Sequence, residues 1–125
     1  MVYPVDTNII IRFLVGDNIQ HLQKAREFFI DIEKGTLQVA ILESVVMEAL
    51  FVLIKFYKLP KEEVIRDIKI ILSLNGVVNS EKIILIEALN TMQHNNIDFV
   101  DALLCAKKEL QNYGLLSFDK DLKKC

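Results

Sequence analysis

The stretch that decides the fold is VYPVDTNIIIRFLVGD, residues 2–17. Val2–Val5 is a short apolar run with room only for a strand. It meets Asp6-Thr7-Asn8 and then a second apolar run, Ile9–Val15. The expected reading is strand, sharp turn, then a helix over Thr7–Val15 that Gly16-Asp17-Asn18 stops. Asp6 stands at the joint. In open parallel sheets ligands bind outside the carboxyl ends of strands, so this is a functional address. The bland alternative is that Asp6 only caps the helix, accepting a backbone N–H near Asn8 or Ile9.

Working outward, Asn18 or Asp17 caps a helix over Ile19–Lys34, with Leu22, Ala25, Phe28, Phe29 and Ile32 at helical spacing and Gly35 at its end. Leu37–Leu42 reads as a second strand, and a helix then runs from Glu43 or Ser44 to about Tyr57. Pro60 opens another helix over Lys61–Leu74, with Glu62 and Glu63 where the helix dipole favours acids. Gly76–Asn79 is expected as a third strand and Ser80–Gln93 as a helix. Asp98–Tyr113 forms a further helix closed by Gly114. Leu115-Leu116-Ser117 is expected as a fourth strand, and Asp119–Lys124 as a final turn or helix. Short strands, apolar on both faces, alternate with helices. That pattern belongs to the α/β class, a parallel sheet covered by helices.

The chain has 125 residues, which suits one domain spanning 1–125. Hydrophobic residues at 52% and charged residues at 26% make it globular rather than disordered. No apolar run reaches the roughly 18 residues of a membrane span, the longest being broken by Glu48. Asp6 falls where a signal peptide is hydrophobic, so the expected location is the cytoplasm. Cys105 and Cys125 make no disulfide framework, and reduced thiols fit that compartment. A net charge of −2 argues against a broad basic nucleic-acid face, although not against contact with phosphate through a bound metal. Lysines do cluster locally, at Lys55, Lys58 and Lys61, at Lys107 and Lys108, and at Lys120, Lys123 and Lys124. Taken singly, each cluster reads as a solvated face.

Glu48 is the sole polar side chain in Val45–Ile54. If buried, a carboxylate there costs several kcal/mol (order of magnitude) unless paired, protonated or metal-bound. The plain alternatives are an outward-pointing Glu48 or a pairing with Lys55 or Arg12. Asp98 and Asp101 lie three apart at a helix start, where cap and first-turn roles also account for them. Asp119 follows the fourth expected strand as Asp6 follows the first. Asp121 is expected as a surface partner for Lys120 or Lys124. One hypothesis covers the acids together: Asp6, Glu48, Asp101 and Asp119 converge on one cleft. Like charges about 4 Å apart repel by about 4 kcal/mol per pair at an effective dielectric near 20. Such a cluster persists with shared protons or a divalent cation, and all-oxygen donors select Mg²⁺ or Mn²⁺. His21 and His94 lack zinc-ligand spacing.

VDTNIIIRFL (5–14), ESVVMEALFVL (43–53), NIDFVDALLCA (96–106) and SFDKDL (117–122), in this order and spacing, resemble a PIN domain, with the closest likeness to the VapC toxins of prokaryotic toxin–antitoxin pairs. The likeness covers nearly the whole chain. Each motif alone is weak; the four in register carry the resemblance. It implies a three-layer α/β/α sandwich with a central parallel sheet of four or five strands. Relatives run past the FDKDL stretch into a last strand, whereas this sequence ends at Cys125.

The resemblance further implies an endoribonuclease that uses Mg²⁺ or Mn²⁺, leaving a 5′-phosphate and a 3′-hydroxyl. Carried over by position, the acidic site is Asp6, Glu48, Asp101 and Asp119, with Asp6 and Asp101 as the foremost ligands. Asp98, Thr7, Asn8 and Ser117 stand beside it, and Arg12 reaches the acids or the RNA. The implied partners are RNA, a second copy in a homodimer, and a small VapB-like antitoxin, with no membrane. Phe28, Phe29, Phe51, Phe56 and Tyr57 are either a groove for such a partner or plain core. Two other classes are open: a PIN-like module that binds a partner without catalysis, and an aspartate-dependent phosphatase. The phosphatase wants a second Asp two residues after Asp6, where the chain has Asn8. A nucleotide-binding Rossmann module lacks its glycine-rich loop.

Overall fold

The structure is a computed structural model that describes residues 1–119, Leu122 and Cys125. The expected turn over Asp119–Lys124, the Lys120, Lys123 and Lys124 cluster, and Asp121 therefore lie largely or wholly outside the described residues. The chain divides into two compact units, Met1–Lys82 and Ile83–Cys125.

In the first unit, β1 (Tyr3–Pro4) and β2 (Val39–Ala40) pair in parallel, Tyr3 opposite Val39 and Pro4 opposite Ala40. The Tyr3 N–H donates to Gln38 O at 3.1 Å and the Val5 N–H to Ala40 O at 3.0 Å. On the other edge of β2, Val77 forms a single parallel bridge with Val39. Here the Val39 N–H donates to Gly76 O at 2.7 Å, and the Val78 N–H to Val39 O at 2.9 Å. One residue further on, a side chain replaces a strand. Asn79 Oδ1 accepts from the Ile41 N–H at 3.0 Å, while Asn79 Nδ2 donates to Ile41 O at 2.8 Å. A buried backbone must find such partners, and the Asn79 amide supplies both for a half-buried one. Gly76 permits the close approach: a Cβ there would fall on the Leu37 and Ile32 carbonyl oxygens.

The helices of this unit follow the sequence closely. α1 (Thr7–Val15) is capped by Asp6 and ends at Gly16, whose φ of 69° suits a residue without Cβ. α2 (Ile19–Lys34) is capped by Asn18, which accepts the His21 N–H at 3.0 Å, and ends at Gly35. Phe13 of α1 meets Phe29 of α2 with ring centroids 4.6 Å apart. α3 (Glu43–Phe51) does not continue as one α-helix to Tyr57. It widens into a π-helical turn, Val52–Phe56, in which the Tyr57 N–H reaches back to Val52 O at 3.0 Å. α4 (Lys61–Leu72) follows Pro60. Ile10, Ile41, Val46, Leu53, Ile65 and Leu72 are fully buried, each contributing about 1.5–3 kcal/mol of hydrophobic stabilisation.

In the second unit, α5 (Lys82–Asn95) precedes α6 (Phe99–Gln111). Phe99, Ala102, Cys105 and Ala106 mark the buried stripe of α6. Asn112, not Gly114, takes the left-handed position that closes α6, with φ 55°. Two expectations are corrected here. Cys105 and Cys125 are joined as a disulfide with Cα atoms 5.3 Å apart, so they are not free thiols. Leu115–Ser117 forms no strand, and Leu116 and Phe118 are fully exposed. So short a segment takes strand form only against a sheet edge that pairs with it. Among the described residues the sheet thus comprises two strands and one bridge rather than four or five strands. No helix of the described residues is long and apolar enough to cross a membrane.

Candidate functional site

In the first unit, Asp6 leaves β1 and caps α1. Its backbone is extended, with φ −72° and ψ 142°, and Oδ1 accepts the Asn8 N–H at 3.2 Å. Both expected roles of Asp6 are therefore compatible: the carboxylate is a helix cap at a strand end, and it is exposed to solvent. It also borders a cavity of about 370 Å³ whose other walls, from Tyr3, Val5, Ile9, Phe28, Ile32 and Val39, are apolar. Thr7 is buried, the one buried polar residue among those described. Asn8 is exposed and lines a second cavity of about 250 Å³ with Ile9, Arg12, His21, Lys24 and Ala25. Arg12 pairs with Asp17, Nη1 to Oδ1 at 3.0 Å.

Glu48 is exposed, so the cost of burying a carboxylate does not apply to it. The reason lies in how α3 turns its faces. Val46, Ala49, Leu50 and Leu53 fill the core, and Ser44, Met47, Glu48 and Phe51 share the outer face. The apolar neighbours that made Glu48 look buried are in part exposed themselves. α1 packs against α3, which sets the helices bearing Asp6 and Glu48 side by side.

In the second unit, Asp98 occupies the N-cap of α6 without making a side-chain capping bond, and Asp101 lies half-buried in the first turn. Ser117 and Asp119 are brought together: the Asp119 N–H donates to Ser117 Oγ at 2.9 Å. Both line a cavity of about 250 Å³ with Lys108, Leu115 and Leu122.

Among the described residues no three His, Cys, Asp or Glu side chains stand together as a group able to hold an ion. In kind, the donors fit a hard cation, since carboxylate oxygens are what Mg²⁺ and Mn²⁺ take. The exposure of Asp6 and Glu48 leaves both open to an ion from solvent. Of the rings left open between groove and core, Phe51 and Phe56 are exposed and Phe29 is buried. Sequence reasoning missed two features: Asp17 ties Arg12 to Tyr57, and His21 and Lys24 share the Arg12 cavity. The spacing of His21, Lys24 and Ala25 down α2 held the signal for the last.

No curated protein matches the chain, and no solved structure does. The family model of the PIN domain matches residues 3–125, and the chain belongs to that family, whose members are typically metal-dependent nucleases.

Proposed function

We propose that the chain is a Mg²⁺- or Mn²⁺-dependent endoribonuclease, the VapC-type toxin of a type II toxin–antitoxin pair. The observation that carries this reading is Asp6, an exposed carboxylate held at a strand end by the first turn of α1, in a chain matching the PIN domain over 3–125. On this reading Asp6, Glu48, Asp101 and Asp119 hold the ion. A divalent ion so bound supplies Lewis acidity toward an RNA phosphate and an activated water.

The chain's own residues prepare these carboxylates. The Asn8 N–H holds the Asp6 carboxylate in place at the N-terminus of α1. Buried Thr7 anchors the turn. Ser117 fixes the backbone of Asp119 through its hydroxyl. Asp98 stands beside Asp101 at the start of α6, and Arg12 reaches the acids or the RNA. The reading further includes a homodimer, a small VapB-like antitoxin, and work in the cytoplasm, where the Cys105–Cys125 pair meets a reducing pool.

A second reading is a partner-binding PIN domain without catalysis. It is favoured by the absence of a three-acid group among the described residues and by the exposure of Met47, Phe51 and Phe56. One experiment separates the two: incubation of RNA with wild type and Asp6→Asn, in Mn²⁺ and in EDTA. The nuclease reading expects cleavage by wild type in Mn²⁺ alone. Cleavage retained by Asp6→Asn overturns the site, and no cleavage by wild type favours the second reading.

A further inference from the structure

Phe56 is a large ring that the fold holds outside. It is 73% exposed, and Phe51, one turn earlier, is 65% exposed. Phe56 does not dangle. Its ring stands edge-on to Tyr57, with centroids 5.0 Å apart and planes at 82°. The Tyr57 hydroxyl donates to Asp17 Oδ2 at 3.5 Å, and Asp17 in turn binds Arg12. The π-helical turn advances the chain by an extra residue here, and Lys58 follows in the left-handed conformation at φ 56°. Such turns recur at functional sites. Lys55 and Lys58 are exposed beside the rings, and among the described residues neither forms an ion pair.

We infer that the outer face of α3 and its π-helical turn is a platform for single-stranded RNA, with bases stacking on Phe51 and Phe56 and phosphates meeting Lys55 and Lys58. Charge complementarity selects this occupant. Exposed rings interleaved with unpaired cations suit a chain of π-faces and phosphates. A ring already held by its neighbour loses little entropy when a base stacks on it. Glu48 lies on the same exposed face, seven residues before Lys55, roughly 10 Å along the helix by its rise. The platform thus leads a strand toward Glu48. The inference rests on the ribonuclease reading for that direction, but its binding step needs no metal.

The test is fluorescence anisotropy of a labelled decauridylate with the full chain in EDTA, where no cleavage intervenes. Phe56→Ala should weaken binding about tenfold, within the range set by loss of one stacked base. Phe56→Leu, which keeps apolar bulk but not the π-face, should weaken it comparably. Lys55→Gln with Lys58→Gln should lower the slope of log affinity against log salt by about 0.7 per lysine. An exposed position carries little folding risk, and thermal melts confirm it. Wild-type affinity in Phe56→Leu overturns stacking. Unchanged RNA affinity in Phe51→Ala and Phe56→Ala, with loss of a dimer in light scattering, makes the face a subunit contact and overturns the proposal. Neither result depends on whether wild type cleaves RNA in Mn²⁺, so the two readings fail separately.

Discussion

Arg12 and Asp17 form an ion pair with Nη1 3.0 Å from Oδ1, and the second oxygen of Asp17 accepts from Tyr57 at 3.5 Å. One carboxylate thus links the end of α1 to the residue after the π-helical turn. The side chains are 35% and 47% exposed, so the pair contributes about 0–1 kcal/mol to stability. Asp17→Asn should therefore lower the urea midpoint only slightly. It should still loosen Tyr57 and Phe56, read as a sharper tyrosine fluorescence quench by iodide. A loss well above 1 kcal/mol would mean that Asp17 supports more than this pair.

Gly76 offers a stability prediction of a different kind. A Cβ at this position would collide with Leu37 O and come within 2.7 Å of Ile32 O, both backbone atoms that cannot swing aside. Gly76→Ala should destabilise by about 1–3 kcal/mol or more through backbone displacement. Urea unfolding followed by far-UV circular dichroism measures it, and an unchanged midpoint would show that the Val77 bridge is not fixed as described.

The Asn79 amide satisfies both backbone groups of Ile41. Asn79→Leu should cost about 1–3 kcal/mol, because it leaves a part-buried donor and acceptor unpaired. Asn79→Asp keeps the acceptor and loses the donor, while adding a charge beside Glu81 and Ile41 O, so it should not recover wild-type stability. Hydrogen exchange at the Ile41 amide gives the sharper readout: faster in Asn79→Leu, near wild type in Asn79→Asp.

The Cys105–Cys125 bond spans 20 residues and encloses Ser117 and Asp119. A loop of that size, closed in the unfolded chain, stabilises by about 3 kcal/mol. Cys125→Ser, or a dithiol reductant with wild type, should lower the unfolding midpoint by a matching amount, and the two treatments together should add nothing further. Full additivity would show that the reductant acts elsewhere.

Much of this was legible in the sequence where the cause was local. Asn18, Gly16 and Gly35 announce the ends of α1 and α2 because capping depends on a few adjacent residues. The misreadings arose where distant parts decide. Leu115–Ser117 has the composition of a strand, but a strand exists only through its partner. Glu48, left open between burial and an outward position, is decided by the rotation of α3, which turns it outward together with Met47 and Phe51. The pairing of Cys105 with Cys125 and the edge role of Asn79 are likewise long-range facts. Asp6 was legible both as a cap and as a strand-end acid, and its geometry serves both.

The most direct measurement is Mn²⁺ affinity, by titration calorimetry or by loss of the free-ion electron paramagnetic signal, for wild type, Asp6→Asn, Glu48→Gln and the double variant. If carboxylates distant in sequence share one ion, each single change should weaken binding at least about tenfold, the scale on which even outer-shell ligand partners act. The double variant should then lose little more than the worse single. Wild-type affinity in both single variants would contradict the account.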